Sequence, residues 1–170
     1  MKQPEFMPGF LKFLAKAHRS TYAAPAEVKA KTRVKPPLIP GGTTYVFREG
    51  DWEYVDQYHG SFDAPGAEIV NFSGNTIWRM TYEGLIDSRI PEKEVKEEIW
   101  PFLGEALMTF PGDFPFRGPK RFEKGEFVYT FDAKWDVPFG QKQPRLKGRE
   151  SILRNGKEVF FQEITGTFVR

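Results

Sequence analysis

Apolar residues recur at helical spacing near the start of the chain. In residues 8–19 they lie three and four positions apart on one face, which predicts a helix with His18 on or near its polar side. Residues 23–42 are rich in proline and glycine and predict an irregular connector. We therefore expect this part of the chain to contribute one helix.

A second apolar stripe at helical spacing runs through residues 91–109. Pro91 suits the first helical position, and Glu92 and Glu94 suit the positive end of the helix dipole. Pro101 lies inside the stripe and lacks the amide hydrogen that a helix interior needs. We therefore expect a kink or a short break in the helix at this residue.

Between the two predicted helices, apolar and polar residues alternate as they do in strands. Four strands are predicted there, over residues 44–47, 52–59, 68–72 and 76–82. Ser73-Gly74-Asn75 has the composition of a tight hairpin turn. This region therefore predicts two antiparallel hairpins.

The second half of the chain repeats the first. Gly50-Asp51-Trp52-Glu53-Tyr54 reappears 75 residues later as Gly125-Glu126-Phe127-Val128-Tyr129. Further along the offset is 82, and Gly66, Glu68, Gly74, Ile77, Trp78 and Gly84 match Gly148, Glu150, Gly156, Val159, Phe160 and Gly166. We interpret residues 1–170 as a single domain with an internal repeat over 8–86 and 91–170.

Each repeat unit is a helix followed by two hairpins, so two units supply about eight antiparallel strands. Isolated hairpins are only marginally stable, and the four must share one sheet or a closed barrel. We predict an α+β fold with a strongly curved or barrel-like sheet on which the two helices pack.

Strand alternation identifies Asp56 as the most informative polar residue. Trp52, Tyr54, Asp56 and Tyr58 share one face of their strand, as do Trp78, Met80 and Tyr82 of theirs. The repeat matches Asp56 with Phe131, so one half keeps a carboxylate where the other has a ring. A buried carboxylate needs a partner. One interpretation is that Asp56 forms a structural ion pair or hydrogen bond. The other is that it is a functional polar anchor, or a general base with a raised pKa.

The ordered set of motifs resembles one known family. Its features are Phe13-Leu14-x-x-Ala17 with Thr21-Tyr22-Ala23, Glu49-Gly50-Asp51-Trp52-x-Tyr54-x-Asp56-x-Tyr58-x-Gly60, Glu68, Ile77-Trp78-x-Met80-x-Tyr82-x-Gly84, Arg117-Gly118-Pro119 and Asn155-Gly156-Lys157-Glu158-Val159. The chain is similar over nearly its whole length to domain-of-unknown-function family 5680. The resemblance implies relatives among uncharacterised bacterial and archaeal proteins, some with a helix-turn-helix segment beside the domain, and no known activity.

Three classes of function stay open. The leading hypothesis is a non-enzymatic domain that binds a small molecule in an aromatic pocket. That pocket is lined by Trp52, Tyr54, Tyr58, Trp78, Met80 and Tyr82, with Asp56 and either Arg79 or Arg117 as polar anchors. The alternatives are an acid–base enzyme of hydrolase or isomerase type, using Asp56 with Glu68 or His59, and a homodimeric or partner-binding scaffold. Glu68 and Glu150 occupy matching repeat positions, which favours a structural role for both.

Composition and charge exclude several other functions. A net charge of +2 is too small to indicate binding to nucleic acid or to an acidic membrane surface, and the absence of Cys rules out thiolate chemistry. His18 and His59 lack metal-ligand spacing, and no phosphate-binding loop or Gly-x-Ser-x-Gly motif occurs. We therefore predict no metal and no cofactor. No apolar run approaches the roughly 20 residues of a membrane span, and we expect a soluble cytoplasmic protein.

Overall fold

A computed structural model of the chain describes residues 7–137 and 144–169. The predicted domain also included residues 1–6, 138–143 and 170, which lie outside the described residues. Eight strands are present in the described part: β1 (Gly42–Glu49), β2 (Trp52–His59), β3 (Gly66–Phe72), β4 (Asn75–Ile86), β5 (Arg121–Lys124), β6 (Phe127–Asp136), β7 (Arg145–Arg154) and β8 (Lys157–Phe168). Helices α1 (Met7–Ser20) and α2 (Ala26–Thr32) precede the sheet.

A third helix connects the two halves of the sheet. It is α-helical over Glu92–Glu94, π-helical over Val95–Ile99 and α-helical again over Trp100–Leu107, and we call it the composite helix. An interruption is present, not at Pro101 as predicted but as a π-helical turn that ends two residues before it. The wider turn suits a residue that cannot donate an amide hydrogen to the preceding turn.

All eight strands form one antiparallel sheet in the order β1-β2-β3-β4-β8-β7-β6-β5. Two four-stranded meanders, which we call the first meander (β1–β4) and the second meander (β5–β8), are joined where β4 pairs with β8. This confirms the α+β class and the eight antiparallel strands. The prediction of a strongly curved or barrel-like sheet is wrong, because β1 and β5 stay apart as edges. The helices bury the apolar face, so the sheet has no need to close on itself.

The two meanders share the same strand register. Asp56 pairs with Glu68 in the first meander, and Phe131 pairs with Glu150 in the second. Each meander has a β-bulge at the same place, between Val70 and Asn71 and between Ile152 and Leu153. Positions that match in sequence at offsets of 75 and 82 therefore match in the sheet as well, and we call them counterparts.

The junction of the two meanders is reciprocal. Tyr82 of β4 pairs with Ile164 of β8, its own counterpart. The Asp87 amide donates to the Val159 carbonyl at 3.0 Å, and the counterpart amide of Val169 donates to the Ile77 carbonyl at 2.9 Å. A local two-fold axis therefore passes between Tyr82 and Ile164.

Each meander has one helix with a buried apolar face, α1 or the composite helix, and the two are held by similar aromatic contacts. Phe13 of α1 stacks on Trp52 with ring centroids 5.3 Å apart, and Phe102 of the composite helix stacks on Phe127 at 5.1 Å. Burying such a ring contributes roughly 1.5–3 kcal/mol. The strands alternate accordingly, and the face away from the helices carries exposed polar side chains such as Arg79 and Glu83.

The connector predicted to be irregular over 23–42 contains helix α2. None of the residues of α2 is buried, so this helix lacks the apolar stripe by which a helix is recognised in sequence. The chain then runs beside the sheet edge, where Arg33 forms a bridge with Tyr45 of β1. None of the described helices is both long and apolar enough to span a membrane.

Candidate functional site

A buried arginine lies between two buried glutamates under the helices. Arg117 precedes β5 and is 4% exposed, whereas Glu68 and Glu150 are fully buried. The two glutamates are counterparts at the centres of β3 and β7, each on the helix-covered face. The guanidinium of Arg117 therefore contacts a glutamate in each half of the sheet.

Glu150 is fully bound on its side of the network. Arg117 Nε and Nη2 donate to its two carboxylate oxygens at 3.0 and 2.8 Å, and Tyr129 Oη donates to it at 2.8 Å. Gln162 Oε1 accepts from Arg117 Nη2 at 3.1 Å. Gly118 leaves room for this arrangement, since a Cβ there would lie 2.6 Å from the Tyr129 hydroxyl.

Glu68 is held less tightly. Arg117 Nη1 donates to its Oε1 at 3.5 Å, and its Oε2 shares a 2.9 Å hydrogen bond with His18 Nε2. The prediction that His18 faces the polar side of its helix is wrong, because this side chain is fully buried. It follows Leu14 by four residues and therefore lies on the apolar face of α1.

Asp56 is the third buried carboxyl of this region. Its Oδ1 accepts a 2.6 Å hydrogen bond from Tyr82 Oη, whereas Oδ2 has no hydrogen-bond partner among the described residues. Burial, reinforced by the negative charge of Glu68, raises the pKa of Asp56 to about 7. The Tyr82 hydrogen bond, Arg117 and Lys29 offset part of this rise. The Asp56 carboxyl therefore changes between its protonated and ionised forms close to neutral pH.

A cavity of about 360 Å³ lies beside Asp56, between the first meander and the helices above it. Its floor on the sheet includes Asp56, Tyr82 and Gln162, and none of these is more than 7% exposed. The remaining wall comes from the helices, the loops and one sheet edge: Tyr22, Lys29, Thr43, Tyr58, Gly60, Ser61, Ala64, Lys96, Trp100, Leu103, Gly104, Leu107 and Arg117. The cavity thus has a polar, closed floor and an aromatic, more open rim.

Four of the predicted site residues meet at this cavity. They are Asp56, Tyr58, Tyr82 and Arg117. The structure places Tyr54, Trp78 and Met80 in the core and packs Trp52 against α1. His59 is exposed at the end of β2, Arg79 lies on the opposite face of the sheet, and Glu68 is buried in the arginine network beside the cavity.

Sequence reasoning missed the residues that the helices bring to the cavity. Lys29 comes from α2, Lys96 from the π-helical turn and Trp100 from the start of the following α-helical turn. Gln162 was missed as well, although a polar residue on the covered face of β8 was a readable signal. It is the counterpart of Met80.

Four buried polar atoms lack a hydrogen-bond partner within the described ranges. They are His18 Nδ1, Tyr54 Oη, Asp56 Oδ2 and Trp78 Nε1. All four belong to the first half of the chain, and one of them, Asp56, lines the cavity. Buried polar atoms are usually paired, and such a cluster of exceptions marks this half as the one adapted to something other than stability.

Asp56 is the acidic group at the cavity, and hydrogen-bonding side chains surround it. Among the described residues, no three His, Asp or Glu side chains are grouped as metal ligands. A carboxyl with one free oxygen and a pKa near neutrality can bind either a proton or a cation. Its neighbours Tyr82, Arg117 and Gln162 supply hydrogen-bonding groups around it.

A protein-family model with the description Domain of unknown function (DUF5680) matches residues 56–169. The match begins at Asp56 and covers the cavity floor, the composite helix and the second meander. The similar motifs before Asp56 lie outside it. Comparison with curated proteins and with solved structures gave no significant match.

Proposed function

We propose that this chain, which belongs to the DUF5680 family of unknown function, binds a small organic cation in the cavity beside Asp56. The observation that carries the proposal is the carboxylate oxygen Oδ2, buried without a partner in the described structure at the floor of a cavity large enough for a small molecule. A non-enzymatic binding domain needs such a site: mostly apolar walls with a few convergent polar groups.

The balance of buried charge favours a cation. Asp56, Glu68 and Glu150 are three fully buried carboxyl groups, and the network around them contains one guanidinium, that of Arg117. Glu150 engages this guanidinium on two nitrogens, and Asp56 forms no ion pair with a described residue. A cationic ligand would supply the charge that Asp56 lacks.

Aromatic side chains supply the matching walls. Tyr58 and Trp100 line the cavity and are only partly buried, so their rings are available to a ligand. A cation within about 6 Å of an aromatic ring gains roughly 0.5–2 kcal/mol. Arg117 already uses this attraction, since its guanidinium lies 5.1 Å from the Tyr22 ring and 5.3 Å from the Tyr82 ring.

Access to the Asp56 carboxylate is closed in this conformation. Asp56 is 0% exposed although it forms part of the cavity wall. We expect a bound cation to displace the side chain of Tyr58 or Tyr82 slightly and so to reach Oδ2. Water exclusion strengthens the resulting ion pair, because the local dielectric is low.

Binding of a cation should compete with binding of a proton at Asp56. The titratable and charged groups that face Asp56 are listed by element: Tyr22 after α1, Lys29 on α2, Tyr45 on β1, Tyr54 on β2, Glu68 on β3, Tyr82 on β4 and Arg117 before β5. The pKa of Asp56 is raised to about 7, so its ionised fraction grows about tenfold between pH 6 and pH 8. Affinity for a cation of fixed charge should grow by the same factor.

Calorimetric titration with choline and tetramethylammonium tests this, since neither cation titrates. We expect binding about tenfold tighter at pH 8 than at pH 6, with release of a proton near pH 6. Asp56→Asn should weaken binding at pH 8 at least tenfold and remove the pH dependence. Asp132→Asn, on the exposed face of β6, is the matched control and should leave both unchanged. Equal binding by the parent and Asp56→Asn would overturn the proposal, and so would failure of every quaternary and primary amine in a thermal-shift screen.

An acid–base enzyme is less well supported by the same geometry. Asp56 is the single carboxylate among the residues that line the cavity in the described structure, and His59 lies outside that lining. The pairing of Asp56 with Glu68 or His59 that was predicted for such an enzyme is therefore not assembled in the wall.

We also infer that the single domain arose by duplication of one helix-plus-hairpins module, with repeats over 8–86 and 91–170. The shared strand register, the paired β-bulges and the reciprocal β4–β8 junction support this. Under this inference the cavity is a feature acquired or retained by one copy.

A further inference from the structure

The cavity has a second charged end, formed by two lysines from the helices. Lys29 lies on α2 and Lys96 on the composite helix, and both line the cavity whose floor on the sheet includes Asp56. Asp56 is sealed at the floor, whereas Lys96 is exposed and Lys29 is half-buried. The cavity is therefore polarised, with a carboxyl at the sheet and ammonium groups at the helices.

Neither a buried helix face nor an ion pair within the described residues accounts for the position of Lys29. Helix α2 has no buried residue, and Lys29 forms no ion pair with any other residue in the described part of the chain. Burial lowers the pKa of Lys29, and the nearby Asp56 counteracts this. A half-buried ammonium without an acidic contact beside a cavity is suited to a ligand with a negative group.

Lys96 can serve the same group. Its Nζ contacts Glu92 at 2.6 Å, but both side chains of this pair are more than half exposed. Exposed pairs of this kind contribute about 0–1 kcal/mol, so a ligand can replace the contact at little cost. The π-helical turn contains Lys96 and ends directly before Trp100, and such turns often occur at functional sites.

From this polarity we propose that the ligand is amphoteric: a small molecule whose amine meets Asp56 and whose anionic group meets Lys29 and Lys96. The inference rests on the proposed function and narrows it. A simple amine would meet repulsion from the two lysines, and a simple anion would meet repulsion from Asp56. A molecule with both groups satisfies both ends of the cavity, as amino acids and phosphorylated amines do.

The test compares compounds of equal length that differ in one charged group. The ω-amino acids with two to six carbons are titrated at pH 8 beside the alkylamine and the alkyl carboxylate of the same length. For the best length, we expect the amino acid to bind at least tenfold tighter than either partner compound. O-phosphoethanolamine, compared with 3-aminopropionate, shows whether the anionic group is better supplied as phosphate or as carboxylate.

Variants assign this preference to the lysines. Lys29→Met should reduce the affinity for the best amino acid about tenfold and leave the affinity for the matched alkylamine equal or higher. Lys96→Met should have the same effect to a smaller degree, because Lys96 is more exposed. Lys31→Met is the matched control on the same helix, exposed and away from the cavity, and should change nothing. Because α2 buries no residue and Lys96 is exposed, all three proteins are expected to melt near the parent temperature.

The outcomes separate the two proposals. One outcome is that amines bind in a manner that depends on Asp56, but an added carboxylate or phosphate group on the amine does not increase the affinity. The proposal of an amphoteric ligand is then wrong, and the proposal of a cation site stands. Loss of the preference in Lys31→Met as strongly as in Lys29→Met also contradicts the lysine assignment. If neither amines nor amino acids bind, both proposals fail.

Discussion

The two meanders place the same glutamate in different surroundings. In the second meander, Glu150 accepts hydrogen bonds from two nitrogens of Arg117 and from the Tyr129 hydroxyl. Its strand neighbour there is Phe131. In the first meander, Glu68 receives one longer Arg117 contact and a histidine, and its strand neighbour is Asp56. One side is saturated with hydrogen bonds, and the other carries an additional carboxyl.

The difference extends to the space above each glutamate. Phe131 lies near Phe114, with ring centroids 6.4 Å apart, so an aromatic contact stands where the first meander has its cavity. The unpaired buried atoms of the described structure also lie in the first half, and Tyr54 lacks the partner that its counterpart Tyr129 has. We interpret the second meander as the half that contributes more to stability, since unsatisfied polar groups reduce stability.

The largest expected effect comes from removing the group that both halves share. Arg117→Met leaves Glu68 and Glu150 buried without a cation, which should lower the free energy of unfolding by roughly 3–5 kcal/mol. Urea unfolding at pH 7 measures this. Adding Glu68→Gln and Glu150→Gln to the same protein should recover part of the loss, because the uncompensated charges are then gone. A loss below about 1 kcal/mol for the single variant would show that the arginine does not couple the halves.

The next effect is on the pH dependence of stability, through the ionisation of Asp56 in the first meander. The unfolded chain ionises Asp56 near pH 4, whereas the folded protein keeps the proton up to about pH 7. The folded state therefore binds more protons in this window, and ionisation of Asp56 lowers stability as the pH rises, by about 1.4 kcal/mol per pH unit. Asp56→Asn cannot titrate and should gain stability relative to the parent at this rate between pH 5 and pH 7, then stay level above pH 8. Chemical denaturation across this pH range gives the slope, and a constant difference at all pH values would contradict the raised pKa.

The smallest effect compares two counterpart tyrosines. Tyr129→Phe removes a hydrogen bond to a buried carboxylate and should cost roughly 1–3 kcal/mol. Tyr54→Phe removes a hydroxyl that has no partner in the described structure and should be neutral or slightly stabilising. Thermal melts of the two variants side by side check the contrast. Equal losses would mean that the two halves are not satisfied to different degrees.

Much of the sheet was predictable from the sequence, because strand pairing inside each meander is local. Alternation and turn residues indicated the hairpins, and the offsets of 75 and 82 match the observed register. Whether the sheet closes was not predictable, since it depends on how far the helices cover one face. Helix α2 escaped prediction because no periodic apolar pattern marks an exposed helix.

The candidate site was partly predictable for a related reason. Asp56 stood out because its counterpart is Phe131, and the register brings it next to Glu68. Lys29, Lys96 and Trp100 reach the cavity through long-range packing of helices, which no local pattern reports. Trp52, Tyr54, Trp78 and Met80 share strand faces with the cavity residues, and alternation alone could not separate core from wall. The ligand-binding role of the predicted set stays a prediction.

The β4–β8 junction has a consequence for how the polypeptide can be divided. Tyr82 faces Ile164, and the two strands β4 and β8 are themselves counterparts. Each of them therefore pairs with the other through the same edge. Such a self-complementary seam does not require that the two meanders be covalently continuous. A cleavage between Ile86 and Glu92 would leave two fragments whose free edges, on β4 and β8, match in register, so the fragments have the geometry to pair again.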